Sequence, residues 1–346
     1  MEKNKNRTIL IIANARRAGG LSGGDNIYLN FAKHWPHKVK MWDMLNVDFR
    51  PFWACYVYRV LLACFCAMFW RGKYDFVYSA SDFLMDSLPA AIMKIRGVSR
   101  HWVAGFYLFA PKDNLAYQIS QAIAYQTIKR YADVVCVTNA SMNYAFDYGF
   151  IVEVNGGVNL ALAGITETHP KIYDAVFCGR IHPSKGIDDL IEIWLTVRME
   201  KPDATLALIG DGDLGVDYIR ARGLTEDDGV TFFGFQGDER FCIYKSSKMV
   251  LYPAKSHFSM APVEAMACGC PMLTYDSPIM QNIDPKGTVF AKSVKEYAQN
   301  IIELLDDKND TYTNLSLEAY QWSKDWDWKK KAKQLYEEIE MGLYGV

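Results

Sequence analysis

The stretch that decides the fold runs from Met249 to Tyr275 and reads MVLYPAKSHFSMAPVEAMACGCPMLTY. Short β-rich runs stand at its two ends, Met249–Tyr252 and Pro271–Tyr275. Between them, Pro262 opens a predicted helix and Gly269 ends it. A strand, a loop, a helix and a second strand in this order predict a βαβ unit, from which parallel sheets are built.

The same alternation runs along most of the chain. Amphipathic segments of helix length, such as Asp188–Met199 and Val294–Leu305, separate further short strands. Those strands are predicted at Thr8–Ala13, Asp75–Ser79, His101–Ala104, Val134–Thr138, Ala175–Gly179, Thr205–Ile209 and Val230–Phe233. The rhythm restarts near residue 171, after an irregular stretch interrupted by Gly and Pro. We therefore expect an α/β protein of two Rossmann-like, doubly wound domains, residues 1–165 and 171–320, facing each other across a cleft.

Composition and charge exclude several classes of protein. The chain has 346 residues, half of them apolar and 23% charged, so it can bury a large core. Its net charge of -2 argues against nucleic acid as a partner. Residues 1–165 carry 18 Lys and Arg against 11 Asp and Glu, net +7, and the remainder carries 20 against 29, net -9. The split suggests an anionic partner for the first half, with chance partition as the alternative.

The cysteines and the amino terminus indicate a cytoplasmic protein. Eight cysteines are scattered through apolar segments, without the C-x-x-C spacing and the His partners of a zinc site. We expect them to be reduced, and mostly buried. The apolar run Ile9–Ala13 is too short for the core of a signal peptide and is predicted to be the first strand.

One segment, Phe52–Trp70, is unusually apolar, with Arg59 as its single charge in 19 residues. Its length is borderline for a membrane span. The strands before and after it must join one sheet, however, so both of its ends lie on the same side. We interpret it as a helix in the membrane interface, with Arg50, Arg71 and Lys73 near the lipid headgroups. A helix wholly buried in a large α/β domain is the alternative.

Two cations follow the strand that ends near Gly179. They are Arg180 and Lys185, in the sequence CGRIHPSKG, where Gly179 and Gly186 allow close approach of a ligand. Arg as a planar fork and Lys as a point charge suit a diphosphate. The G-x-x-x-x-G-K-[ST] pattern is missing here, so the segment is not the P-loop of an NTPase.

Two glycine-rich turns are weaker signals. Gly23 and Gly24 follow the first strand and precede Asp25, a predicted helix cap, and such a turn can seat a phosphate. The helix that follows has an apolar stripe at Tyr28, Phe31 and Trp35. Residues 210–215, GDGDLG, match G-x-G-x-x-G, but in mid-chain and without an acidic residue ending the next strand. A nicotinamide or flavin oxidoreductase is therefore a remote alternative.

The predicted helix after Tyr252 offers the most specific site. Its amino end, near Met260 and Ala261, presents main-chain N–H groups to an anion. Glu264 in its first turn could pair with a ligand hydroxyl, and a carboxylate that only complements the helix dipole is the alternative.

Taken together and in this order, these segments resemble family 4 of the retaining glycosyltransferases, which have the GT-B fold. The resemblance extends from Arg7 to about Tyr336. The residues that carry it are Gly23-Gly24, the VVCVTN strand, Asn155-Gly-Gly-Val-Asn159, Gly179-Arg180 with Lys185-Gly186, Gly210-Asp-Gly, and Pro262-Val-Glu-Ala-Met-Ala-Cys-Gly-Cys-Pro271.

The resemblance implies transfer of a sugar from a UDP- or GDP-linked donor, with retention of configuration and without a metal or other cofactor. The donor would bind mainly to the second domain, and a glycan or lipid-linked acceptor to the first. Arg180 and Lys185 would hold the diphosphate, and Glu264 the ribose hydroxyls. Further donor contacts are implied at Gly23, Gly24, Gly179, Gly210, Phe235, Ser256, His257, Phe258, Ser259, Met260 and Ala261. A last helix, residues 321–346, would return to the first domain.

The chain departs from the family pattern at several positions. Ser256 stands where the family has the first glutamate of a pair, and His257 and Ser259 replace glycines. The family's frequent histidine in the first domain is missing near Tyr107, and Asn159 replaces a common aspartate. We expect an active enzyme on the cytoplasmic face of a membrane. A silent homologue, which binds nucleotide sugar or serves as the partner subunit of another transferase, is the alternative.

Overall fold

The computed structural model describes residues 7–16, 23–110, 114–138, 149–154, 156–164, 169–212, 214–255, 258–306 and 310–345. The chain divides into two compact units. The first comprises Met1–Gly156 and Trp328–Val346, and the second comprises Gly157–Asp327. Each is built on a parallel sheet of six strands, so the expectation of two Rossmann-like, doubly wound domains is confirmed.

The sheet of the first unit has the order β2–β1–β3–β4–β5–β6. Its strands are β1 (Thr8–Ile12), β2 (Lys38–Trp42), β3 (Tyr74–Ser79), β4 (Ser99–Gly105), β5 (Val134–Val137) and β6 (Phe150–Glu153). Side chains alternate along a strand, so Ile9 and Ile11 of β1 enter one core, and Leu10 and Ile12 enter the core on the other face. Burial on both faces explains why β1 is a continuous apolar run.

Helices cover both faces of this sheet. α2 (Phe52–Met68), α3 (Leu84–Ile95) and α4 (Leu115–Tyr131) pack on one face. α1 (Gly23–His34) and the last helix, α13 (Trp328–Tyr344), pack on the other. The apolar stripe predicted for α1 is confirmed, since Tyr28, Phe31 and Trp35 are buried.

The second unit repeats this design with the strand order β12–β11–β10–β7–β8–β9. Its strands are β7 (Tyr173–Cys178), β8 (Leu206–Ile209), β9 (Val230–Gly234), β10 (Ser247–Tyr252), β11 (Met272–Tyr275) and β12 (Thr288–Ala291). One face is covered by α6 (Ile187–Glu200), α7 (Gly215–Arg220) and α11 (Val294–Leu305). The other is covered by α5 (Leu160–Ala163), α8 (Arg240–Lys245), α9 (Met260–Ala267), α10 (Pro278–Ile283) and α12 (Thr311–Ser323).

The boundaries of the units differ from the predicted ones. The first unit ends at Gly156 rather than at residue 165, because Val158 and Ala163 are buried in the core of the second unit. The chain re-enters the first unit at Trp328 rather than at residue 321, since residues 321–327 complete α12 and a short 3-10 helix. α13 then buries Ala332, Leu335, Tyr336 and Ile339 in the first core.

The burial of helix α2 excludes one of the two interpretations of the apolar segment Phe52–Trp70. The helix forms as predicted, but only Cys55, Arg59, Ala63 and Ala67 are buried. A wholly buried helix is therefore wrong. Among the residues that the structure describes, no helix has the length and apolar character needed to cross a membrane.

Candidate functional site

The carboxyl ends of β7 and β10 form the natural ligand edge of the second unit. The strand order reverses between these two neighbours, and ligands of doubly wound sheets bind at such a switch point. The loops after the two strands touch at Gly186, where a Cβ atom would lie 2.4 Å from the carbonyl oxygen of Pro253. Gly186 also has φ +73°, so both space and backbone conformation require glycine.

The loop after β8 packs on the loop after β7 just as closely. A Cβ atom at Gly210 would lie 1.9 Å from the carbonyl oxygen of Gly179, and φ at Gly210 is +140°. The main-chain N–H of Gly179 donates to Ile209, and that of Ile181 donates to Asp211. The glycines at 179 and 210, predicted as donor contacts, thus hold two strand ends side by side.

Arg180 and Lys185 both project from this edge. Ile181 is fully buried between them, and residues Pro183–Lys185 form one 3-10 turn that His182 caps through its Nδ1 atom. The stem of Lys185 crosses Gly179, where a Cβ atom would lie 3.8 Å from Cδ. Within the part of the chain that the structure describes, neither cation forms a hydrogen bond or ion pair.

The ammonium group of Lys185 is in an unfavourable environment. Burial and, to a smaller extent, the neighbouring Arg180 guanidinium together lower its pKa from 10.5 to about 8. Two cations held together and partly removed from water favour an anion between them. A diphosphate has the charge and the size to fill that role.

Glu264 is already paired, which neither interpretation of the sequence expected. Its two carboxylate oxygens accept from Nε and Nη2 of Arg240, both at 2.7 Å. Both side chains are mostly buried, with 14% and 23% of their surface exposed. Arg240 is the first residue of α8 and Glu264 lies in α9, so the pair forms only when the two helices pack. The sequence gives no local signal for Arg240.

Cys178 connects the two parts of the site. It is the last residue of β7, and its thiol lies beside the buried Tyr244 side chain. Burial raises the pKa of this thiol to about 11, and the charges of Glu264, Arg240 and Lys185 all act on it. The cation pair and the Arg240–Glu264 pair therefore meet at the carboxyl end of β7.

Helix α9 begins at Met260, two residues before the predicted start at Pro262. Ser259 is its N-cap residue in extended conformation, and its side chain hydrogen-bonds Tyr252 rather than the helix. The first-turn N–H groups around Met260 and Ala261 thus lack a side-chain cap and remain suited to an anion. Phe258 packs on Trp326, with 5.5 Å between ring centroids.

The other predicted contacts are distributed as follows. Phe235, after β9, is 83% exposed. Ser256 and His257 lie outside the described residues. Gly23 and Gly24 are the first two residues of α1 in the first unit. Asp25 was predicted to precede that helix as its cap, but it lies inside the first turn, where its carboxylate accepts from the Tyr28 hydroxyl at 2.6 Å.

The first unit has its own switch point, between β1 and β3. The chain after β1 is clamped there from two sides. The carboxylate of Asp86 accepts from the main-chain N–H of Ala15 at 3.1 Å, and burial raises the pKa of Asp86 to about 7. The fully enclosed guanidinium of Arg59 donates to four main-chain carbonyls, those of Asn14, Arg16, Met44 and Val47. The residues that follow this clamp are the glycine-rich segment.

Tyr107, which lies near the place of the missing histidine, is buried against the sheet of the first unit. Its hydroxyl bonds the Tyr78 hydroxyl, and burial raises the pKa of both groups. Among the described residues, no group of three or more His, Cys, Asp and Glu side chains is placed to hold a metal ion. All eight cysteines are free thiols.

The residues that carry the site fall within a segment that matches a known protein family. Residues 173–307 match the family model described as "Glycosyl transferases group 1". The second unit is therefore similar to glycosyltransferases of group 1 over most of its length. The cation pair, the Arg240–Glu264 pair and the amino end of α9 all lie within the matched residues.

Curated relatives of the chain are similar over only part of their length. An uncharacterized glycosyltransferase of Haemophilus influenzae is 26% identical over 159 residues, 44% of this chain and 44% of that protein. A D-inositol 3-phosphate glycosyltransferase of Rhodococcus erythropolis is 32% identical over 112 residues, 29% of this chain and 25% of that protein. The chain thus spans less than half the length of these relatives.

Solved structures are similar over nearly the whole chain. Anabaena HepE in complex with UDP and glucose has a TM-score of 0.69 at 17% identity, covering 96% of this chain and 99% of HepE. Sucrose-phosphate synthase from Thermosynechococcus elongatus has a TM-score of 0.71 at 17% identity, covering 98% of this chain and all of that one. The chain therefore has the GT-B fold, and the expected fold is confirmed.

Proposed function

We propose that this protein is a retaining glycosyltransferase that moves a sugar from a UDP- or GDP-linked donor to a glycan or lipid-linked acceptor. It would act on the cytoplasmic face of a membrane, in glycan or glycolipid biosynthesis, with the acceptor on the first unit. The solved neighbours include a protein in complex with UDP-glucose, which supports a nucleotide sugar as donor.

The observation that carries the proposal is the cation pair after β7. When the sugar leaves, negative charge develops on the departing diphosphate, and fixed cations stabilise that charge in the transition state. Lys185 is suited to this work because burial and Arg180 make its isolated charge unfavourable. The amino end of α9 adds main-chain N–H groups for the same anion. Together these groups supply the stabilisation that a divalent metal gives in other transferases.

Arg240 defines how Glu264 can act. The guanidinium binds both carboxylate oxygens, so it fixes the plane of the carboxylate. Each oxygen keeps a second lone pair, with which it can accept a hydrogen bond from a hydroxyl. We therefore assign Glu264 to the ribose hydroxyls of the donor and Arg240 to positioning Glu264.

Retention and independence from metal rest on the family 4 pattern of the motifs. Retention is tested by NMR of the product, in which the anomeric configuration of the transferred sugar must equal that of the donor. Metal independence is tested by turnover in excess EDTA, which should remain unchanged.

A catalytically silent homologue is the second candidate, and Ser256 favours it. A serine at this position removes a carboxylate that the family pattern places against the donor sugar. Such a protein would bind nucleotide sugar, or support a partner transferase, without turnover.

One experiment separates the two candidates. A panel of UDP- and GDP-sugars is first screened by thermal shift, because a ligand that binds only the folded state raises the melting temperature. The best donor is then incubated with polyprenyl-linked and glycolipid acceptors, and with D-inositol 3-phosphate as a soluble one. Release of nucleotide that depends on an acceptor supports the enzyme. A clear thermal shift without release from any donor supports the silent homologue.

A further inference from the structure

Helix α2 exposes its bulky side chains and buries its small ones. Its buried positions recur every fourth residue and, Arg59 aside, carry the small side chains of Cys55, Ala63 and Ala67, through which α2 packs beside α3. Its outer stripe also recurs every fourth residue and carries Trp53, Val57, Leu61 and Phe65, which are 49–73% exposed. A helix on a water-facing surface has the opposite distribution.

Helix α4 continues the apolar surface. Leu115, Ile119 and Ile123 recur every fourth residue on its outer side and are 48–68% exposed. Helix α3 packs against both α2 and α4, and these two also touch directly where the hydroxyls of Tyr56 in α2 and Ser120 in α4 lie 2.5 Å apart, so the three helices form one layer. We call these seven side chains, four from α2 and three from α4, the α2–α4 face. Isolated exposed apolar residues are common, but a set on two helices of one layer marks an interaction site.

Positive charge predominates around the α2–α4 face. Neither helix contains Asp or Glu. Exposed arginines stand before α2, after α2 and near the end of α4, at Arg50, Arg71 and Arg130. Asp48, four residues before α2, is the exposed acid nearest to it in sequence on that side.

We propose that the α2–α4 face docks on an anionic lipid bilayer. Apolar and aromatic side chains enter the headgroup boundary, and the surrounding arginines meet lipid phosphates. A second copy of the chain fits less well, because pairing of this face about a two-fold axis brings the same arginines together. The inference deepens the membrane location in the proposed function, but it needs no sugar chemistry.

The test is co-sedimentation of the full chain with vesicles of phosphatidylcholine, with and without phosphatidylglycerol. Two double variants remove apolar side chains from one helix each, Leu61→Ser with Phe65→Ser in α2, and Ile119→Ser with Ile123→Ser in α4. A matched control removes exposed apolar side chains from the second unit, Met199→Ser with Leu317→Ser. Sedimentation velocity reports the oligomeric state, and a UDP thermal shift reports folding and donor binding.

The wild-type chain should bind the anionic vesicles, and each double variant should lower the partition coefficient at least tenfold. The control should bind like wild type, and added salt should weaken binding because the arginines act through charge. Binding unaffected by the α4 variant would overturn the two-helix face. A wild-type dimer that ignores vesicles and that both variants dissociate would assign the face to a second copy. Donor binding that persists without vesicle binding would refute this inference alone.

Discussion

Replacement of Lys185 by Met should make the ligand-free protein more stable and the enzyme much slower. The folded chain lowers the pKa of Lys185 from 10.5 to about 8 through burial and the adjacent Arg180. Each pKa unit corresponds to 1.36 kcal/mol, so the ammonium destabilises the ligand-free fold by about 3 kcal/mol at neutral pH. Methionine keeps an unbranched stem without the charge, and we expect a gain in unfolding free energy of about 1–3 kcal/mol.

The assay combines thermal unfolding of the ligand-free protein with nucleotide release under turnover. A unit of this size should gain about 2–4 °C in melting temperature per kcal/mol. Turnover should fall by about 10²-fold or more, because the developing charge of the diphosphate loses a fixed cation.

Lys248→Met is the matched control. That lysine stands at the amino end of β10 and pairs with Asp174 at 2.8 Å, away from the ligand edge of the sheet. The Lys248→Met variant should lose less than about 1 kcal/mol of unfolding free energy and keep the wild-type turnover. A lower melting temperature for Lys185→Met would refute the unfavourable charge, and a rate within threefold of wild type would refute its role on the diphosphate.

The other predictions concern the same edge of the second sheet. Affinity for UDP should fall as pH rises above about 8, because the diphosphate binds the protonated form of Lys185. Calorimetry above pH 8 should also show proton uptake on binding. An affinity that does not change with pH would contradict the assignment. Glu264→Gln should weaken binding of UDP but not of inorganic diphosphate, and equal losses of affinity for both ligands would exclude a ribose contact. A double-mutant cycle of Glu264→Gln with Arg240→Gln, measured by urea unfolding, should give a coupling energy of about 1–3 kcal/mol. Gly210→Ala should lower the free energy of unfolding by more than about 3 kcal/mol or prevent folding, because the new Cβ atom would clash with a carbonyl oxygen. Gly223 also has positive φ but lies in open space, so Gly223→Ala should lower the free energy of unfolding by only about 1–2 kcal/mol.

The strands that could be predicted from the sequence are mainly the buried ones. All nine strands predicted from apolar runs are present, within two residues at each end. The three strands that the sequence did not reveal are β2, β6 and β12, and each is an edge of its sheet. All three are partly exposed and short, and β2, with the sequence KVKMW, also alternates with polar residues and so lacks the continuous apolar signal.

The candidate site also has residues that the sequence predicted and one that it did not. Arg180 and Lys185 could be located because a strand end and two glycines stand beside them in the sequence. Arg240 could not, because it reaches Glu264 across 24 residues through the packing of α8 on α9. A buried carboxylate requires a partner, but that rule does not say which of many cations supplies it. The outward direction of the bulky side chains of α2 was also hidden, since both stripes of that helix are apolar.

The clamp around Arg59 has a consequence for how the first unit can vary in evolution. All four of its acceptors are main-chain carbonyls, at Asn14, Arg16, Met44 and Val47. Main-chain acceptors persist when side chains change, so mutations at 44 and 47 can accumulate without loss of the contact. Lysine could not replace the guanidinium, because its three donors on one atom cannot span four separated oxygens. A single conserved arginine would therefore keep two loops in place while their own sequences diverge.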